Sequence, residues 1–253
     1  MGFILNYIMA TFHKTQVSIL NGIVMGGGAA VSMHGRFRVA TENSVFAMRE
    51  TALGLFPDQG ASYYLSRLPV FFGEYVGLTG TRLDGAEMLA CGLATHFVPS
   101  ALVMVASVIS NGSCKVPQTL PILLESQAEP NFQRKPPQTH FICVEPEIKR
   151  TKGTELDVID RCFSRRTVEE ILSALEREAL NSNDDWISAT IQSLKGASPM
   201  SLKISLRSIR QGRLQGVGQC LVREYRMICH VMRGKVSKDF FEVFSLLKTF
   251  FFS

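Results

Sequence analysis

The chain has 253 residues, 46% of them hydrophobic and 19% charged, with a formal net charge of +5. That composition excludes a disordered or low-complexity chain and supplies enough apolar material for a packed core without a disulfide or metal staple. Six cysteines, at 91, 114, 143, 162, 220 and 229, form no C-x-x-C and stand at no zinc-ligand spacing from histidine, so reduced thiols and no metal site are expected.

No basic region precedes the apolar N-terminus, and there is no Arg-rich amphipathic leader, so no targeting segment is visible. The uncharged run Val17–Met33 is nearly long enough to span a membrane. Asn21 and its glycines make it read instead as a buried strand, Val17–Met25 (VSILNGIVM), turning at Gly26-Gly27-Gly28 into a helix over Gly28–His34. Phe37–Ala40 and Ser44–Met48 read as two further strands across the turn Thr41-Glu42-Asn43. Gly54–Gly60 (GLFPDQG) reads as a loop. Short helices follow over Ala61–Arg67, Phe72–Leu78 and Asp84–Cys91, the last stopped by Gly92, and then a strand over Ala94–Val98. Strands alternating with helices predict an α/β fold with a largely parallel sheet covered by helices.

Residues 103–154 hold six prolines and no sustained period, and read as an irregular insert or linker. Thr167-Val168-Glu169-Glu170 is a capping box, and apolar residues at helical spacing then predict four helices, around Val168–Ala179, Trp186–Leu194, Leu202–Ile209 and Val217–Met232. Four segments result: a core over 1–102, the insert over 103–154, a helical region over 155–239 and an atypical tail over 240–253. The tail is apolar but short, and no membrane span is expected. Residues 200–235 carry eight basic groups against Glu224 alone. Arg207, Arg210, Arg213, Arg223 and Arg226 fall at helical spacings, which suits one or two phosphate contacts on an otherwise solvated face. Without interleaved aromatics or a helix-turn-helix, no nucleic-acid partner is expected.

Two features can carry chemistry. The glycine triplet follows a buried strand and opens a helix, where unpaired amides can hold a developing oxyanion. The competing reading is close strand–helix packing. Glu50 follows a strand, and Asp58 lies in the loop beyond it. Two carboxylates in a partly dry pocket can hold different pKa values and so serve as base and acid, although an Asp beside Pro57 is also an ordinary turn residue. The five histidines make no motif, His96 reads as packing at a strand end, and no G-x-S-x-G elbow occurs.

The run from Val17 to Leu68, VSILNGIVMGGGAAVSMHGRFRVATENSVFAMRETALGLFPDQGASYYLSRL, resembles the crotonase superfamily, and within it the 3-hydroxyisobutyryl-coenzyme A hydrolases of the plant hydrolase-like branch. The resemblance covers residues 14–102 and 156–239, including GEYVGLTGTRLDGAEMLACGLATHFVPS, TIQSLKGASPMSLKISLRSIRQGR and LVREYRM. It implies a partial crotonase (ClpP/crotonase-like) fold with a C-terminal helical region, and a thioesterase of valine catabolism. That enzyme would cleave 3-hydroxyisobutyryl-CoA with Glu50 as nucleophile or base, Asp58 positioning substrate hydroxyl and water, and Gly27 donating an oxyanion-hole amide. It also implies an acyl-CoA substrate, no further cofactor, a homo-oligomer, and a mitochondrial or peroxisomal compartment. Ala30 stands where crotonase-type hydratases carry a catalytic glutamate, which argues against a hydratase.

The sequence departs from that pattern in four places. It begins near the strand Val17–Met25, so the family's preceding half-domain, with a second oxyanion amide worth about a hundredfold in rate, is expected to be missing. Arg49 replaces a proline before Glu50, where it either lowers that acid's pKa or points to solvent. Residues 103–154 and the end of the chain do not resemble the family. A truncated or alternatively spliced product, or a flawed gene model, is therefore expected. The alternative function is a catalytically inactive relative that binds acyl-CoA or pairs with full-length homologues.

Overall fold

The computed structural model describes residues 2–103, 153–181 and 184–233. The expected insert and the tail therefore fall almost wholly outside the described residues. The first half runs α1 (Gly2–Thr11), β1 (Val17–Leu20), β2 (Ile23–Met25), α2 (Gly26–Ser32), β3 (Phe37–Ala40), β4 (Val45–Ala47), a 3-10 turn (Glu50–Leu53), α3 (Ala61–Leu65), α4 (Phe72–Thr79), β5 (Leu83–Asp84), α5 (Gly85–Ala90) and β6 (His96–Phe97). Among the described residues there follow α6 (Gly153–Phe163), α7 (Val168–Asn181), α8 (Asp185–Gly196), α9 (Pro199–Gly212) and α10 (Val217–Met232).

The alternation read from the sequence gives two small sheets. One has the order β1-β3-β6, all parallel; the other has the order β2-β4-β5, with β2 parallel and β5 antiparallel to β4. The single strand expected over Val17–Met25 is therefore split in two, one piece in each sheet. A polar corner explains the break. Asn21 Oδ1 accepts from Thr41 Oγ1 at 2.9 Å and from Asn43 Nδ2 at 3.0 Å. Ser44 Oγ donates to the Leu20 carbonyl, and Val45 N donates to the Gly22 carbonyl at 3.0 Å. β1–β2 and β3–β4 thus leave one sheet for the other side by side, with their buried backbone groups satisfied at the bend.

Helix α2 begins at Gly26, two residues earlier than expected. The N-terminal helix α1 was not foreseen. Its Ile4, Leu5 and Ile8 are exposed, so it shows little amphipathic periodicity. Local signals elsewhere held. Asp84 and Glu87 form a reciprocal capping box at the start of α5, at 2.9 and 2.8 Å. Thr167 and Glu170 do the same before α7, at 3.2 and 3.3 Å. His96 packs its ring edge-on against Phe37, as expected of a strand-end histidine.

The apolar stripes of the later helices close onto the first half. α9 lies against α3 and α4, and α6 lies against α4 and α7. Phe46 and Leu65 from the first half share one continuous core with Phe163, Ile171, Leu175 and Ile209 from the second. An ion pair pins the α4–α9 contact: the fully buried Glu74 accepts from Arg213 Nη2 at 2.7 and 2.9 Å, with Arg210 Nε at 3.6 Å. Arg210 also donates to the carbonyls of Phe163, Arg165 and Arg166, and Arg223 donates to Ser62 Oγ and to the Ser208 carbonyl. Three of the five arginines considered for phosphate binding are therefore engaged within the fold, and only Arg207 and Arg226 stand exposed without a recorded role.

The α3–α9 contact is close enough to require glycine. A Cβ on Gly212 would lie 2.1 Å from the Ser62 carbonyl oxygen. Gly212→Ala, although a better helix former, is expected to lose about 2 kcal/mol or more by forcing the two helices apart. Urea unfolding that gives a midpoint equal to the parent's would refute this tight packing.

Candidate active site

β2 and β4 are parallel neighbours in the register Ile23↔Val45, Val24↔Phe46, Met25↔Ala47. Both chains then leave the sheet at the same end. Gly26–Gly28 follow Met25 immediately, and Glu50 comes three residues after Ala47. The glycine triplet and the first acid are thus delivered to one edge, at the carboxyl ends of parallel strands, where ligands meet α/β sheets.

The glycines are exposed, and a Cβ built on Gly26, Gly27 or Gly28 would meet nothing within 4 Å. Close packing therefore does not explain them; open space lies over the amides that begin α2. Ala30 is buried, pointing into the core rather than toward that space.

Glu50 opens the 3-10 turn, which Thr51 anchors by donating its hydroxyl to the Leu78 carbonyl at 3.1 Å. Its Oε2 is buried and has no hydrogen-bond partner among the described residues. Burial pushes the Glu50 carboxyl up to about 7, and the nearby Asp58 charge pushes in the same direction. Arg49 is exposed, so of its two alternatives the solvent-facing one holds and the acid is raised, not lowered. Asp58 is half-buried, and desolvation lifts it to about 6. An unpaired buried carboxylate oxygen is costly in a folded protein, and two neighbouring acids both raised by burial are a recurring mark of functional sites.

Three neighbours escaped the sequence reading. The buried Tyr64 feels Glu50, Glu224 and Asp58, and burial followed by these three charges raises its pKa well above the ordinary value. Its hydroxyl lies 3.5 Å from Met48 Sδ. His34 sits 3.4 Å from the Gln59 carbonyl, with its pKa lowered by desolvation. Glu224 is fully buried and lies beneath the Asp58 loop. Its signal was present in the sequence, as the one acid among the eight basic groups of residues 200–235.

Two cavities lie elsewhere among the described residues. One of about 220 Å3 sits between α4, α5, α6 and α8, lined by Phe72, Tyr75, Arg82, Glu87, Leu156 and Trp186. The other, about 190 Å3, lies between the Asn21–Gly22 corner and α2, and Gly28 and Ser32 reach it. Neither is lined by Glu50 or Asp58. Among the described residues no cluster of His, Cys, Asp or Glu could hold a metal, and no helix is long and apolar enough to cross a membrane.

Comparison with known proteins identifies the family. A 3-hydroxyisobutyryl-CoA hydrolase of Arabidopsis thaliana, hydrolase 1, is 66% identical over 241 residues, which is 95% of this chain and 60% of that protein. A mitochondrial 3-hydroxyisobutyryl-CoA hydrolase-like protein of the same plant is 46% identical, over 93% of this chain and 56% of its own length. The chain therefore spans somewhat over half the length of these relatives. A carnitinyl-CoA dehydratase from Mycobacterium thermoresistibile superposes with a TM-score of 0.75 at 28% identity, covering 97% of this chain and 64% of that one. The family profile described as enoyl-CoA hydratase/isomerase matches residues 2–247, wider than the segments in which the resemblance was legible, taking in α1 and reaching into the tail. The chain belongs to the enoyl-CoA hydratase/isomerase family.

Proposed function

We infer that the chain carries the hydrolytic centre of an acyl-CoA thioesterase acting on 3-hydroxyisobutyryl-CoA, as the names of its relatives describe. The observation that carries this reading is the buried, unpartnered carboxylate oxygen of Glu50, electrostatically coupled to Asp58 and set at the strand edge where α2 begins. In hydrolysis the thioester carbonyl carbon gains an oxygen from water, and the C–S bond breaks with its electron pair on sulfur. Glu50 in its ionised form either takes the proton of the attacking water and passes it to the departing thiolate, or attacks the carbon itself, expelling the thiolate and forming a mixed anhydride that water then cleaves, which restores the carboxylate while the water's proton goes to the thiolate. The amide of Gly27 lies in the first turn of α2, without an intrahelical acceptor, and stabilises the charge that develops on the carbonyl oxygen. Asp58 holds the substrate hydroxyl and the water. The mitochondrial relative supports the same compartment for this chain.

The protonation states give opposite pH signs to activity and stability. The mechanism needs ionised Glu50, so kcat/KM rises with pH as that group loses its proton near 7. Folding favours the protonated acid, because its pKa in the folded chain lies above the ordinary 4.5. The stability it contributes is fully present below about pH 4.5 and is lost as pH rises through about 7. Asp58, lifted to about 6, acts with the same sign.

Two expectations follow. Glu50→Gln and Asp58→Asn should each lower thiol release from 3-hydroxyisobutyryl-CoA by about a hundredfold or more. Parental rates in both variants would remove the site assignment, and absent turnover in a folded parent would leave the acyl-CoA-binding alternative. Separately, Glu50→Gln should be more stable than the parent at about pH 8, by on the order of 1–3 kcal/mol, with the gain gone at about pH 4. Denaturant titrations at the two pH values measure this, and a gain confined to acid would reverse the sign.

A further inference from the structure

Asp58 is followed by two residues with left-handed backbone. Gln59 has φ +54° and Gly60 has φ +95°, after which α3 begins. Glycine adopts this conformation freely, whereas glutamine adopts it only against the steric resistance of its Cβ. Such a turn persists only where its surroundings hold it, and here three distant elements do so. From α1, the buried Asn6 donates its Nδ2 to the Gln59 carbonyl and to Gln59 Oε1, both at 3.2 Å. From the end of α2, His34 reaches the same carbonyl. From α10, Glu224 Oε2 accepts from Gly60 N at 2.5 Å, while its Oε1 accepts from Ser62 N at 3.0 Å and Ser62 Oγ at 2.5 Å.

Glu224 supplies the largest share of this grip. Gly60 is the N-cap of α3 and has no side chain to satisfy the first-turn amides, so a carboxylate from over 160 positions away takes that role. Its two oxygens accept three hydrogen bonds and are wholly buried. We propose that Glu224 is a positioning residue for the acid pair, fixing the Asp58–Ser62 turn so that the Asp58 carboxylate faces Glu50. This rests on the hydrolytic reading of Glu50 and Asp58. The groups facing Glu224 and the turn are Asp58 itself, Tyr64 from α3, His34 from the segment after α2 and Arg223, whose Nη2 donates to Ser62 Oγ at 2.8 Å. Burial holds the Glu224 carboxyl up at about 7 despite its three donors, so the grip tightens as the group ionises.

Glu224→Gln keeps the shape but replaces one acceptor oxygen with a donor, leaving at least one of the three N–H or O–H groups unpaired. Three measurements on the full chain test the proposal: thermal unfolding, thiol release well below the unfolding midpoint, and titration of Glu50 by carboxyl-carbon NMR with and without Asp58→Asn. A positioning role predicts that kcat falls about tenfold while KM stays within about twofold. It also predicts that Asp58→Asn, which lowers the Glu50 midpoint in the parent, moves it much less in Glu224→Gln. A lower unfolding temperature with kcat and the Glu50–Asp58 coupling both unchanged would overturn it. Because the coupling is read without substrate, its loss in Glu224→Gln upholds the positioning even where the parent cleaves no thioester, a result that sinks the hydrolytic reading alone. Should Glu224→Gln fail to fold, Ser62→Ala removes one of the three bonds and must show the same split in weaker form; unchanged coupling there counts equally against the proposal.

Discussion

The parallel pairing of β2 with β4 is the constraint on which the site depends. Side chains alternate across a strand with a period of two, so a slip of one residue in the register Met25↔Ala47 would turn Phe46 and Val24 out of the core. The fully buried Phe46 fixes that register through its place in the continuous core. The groups of the proposed site are then attached at fixed offsets from the sheet edge: α2 immediately after β2, and Glu50 three residues after β4. The corner at Asn21 and Ser44 serves the same end, because it lets both strand pairs change sheets without losing step.

A second constraint is electrostatic. Glu50, Asp58 and Glu224 share one poorly solvated neighbourhood around Tyr64, and each is raised by burial before any other cause. Their treatment differs. Glu224 has three donors and Glu50 Oε2 has none. The first is the arrangement of a structural carboxylate and the second that of a group kept for an incoming partner. The large common core formed by the early strands and later helices offsets the cost of keeping such acids dry, as elsewhere where strain or charge is retained at a site.

Features set by local chemistry were legible in the sequence. The capping boxes at Asp84 and Thr167, the stripes of α7 to α10 and the strand Phe37–Ala40 all follow from residues within a few positions of one another. The glycine triplet and Glu50 could be placed from the sequence because each follows a recognisable strand, and Asp58 because Pro57 and Gly60 mark a loop. What was hidden depends on partners far apart in the chain. Nothing local in VSILNGIVM says that Asn21 will be bonded by Thr41 and Asn43, and so the strand read as continuous. The arginines of α9 and α10 fit a phosphate-binding pattern equally well, until Glu74, Ser62 and the carbonyls before α7 are seen to occupy them.

The same division explains why the Asp58 turn could be located but not understood. Pro57 and Gly60 announce a loop, and a loop alone gives an aspartate no reason to hold one direction. Beyond it Gln59 is left-handed, and that conformation is held by contacts from α1, from His34 after α2 and from α10. The helical second half is therefore more than a cover for the sheet. α9 presses on α3 through the glycine contact at Ser62, and α10 caps the same helix through Glu224, so the two C-terminal helices close on the one segment that follows the second acid. Separating the early strands from the late helices would leave Glu50 in place at its strand end, but would remove the Glu224 hydrogen bonds to the turn that follows Asp58.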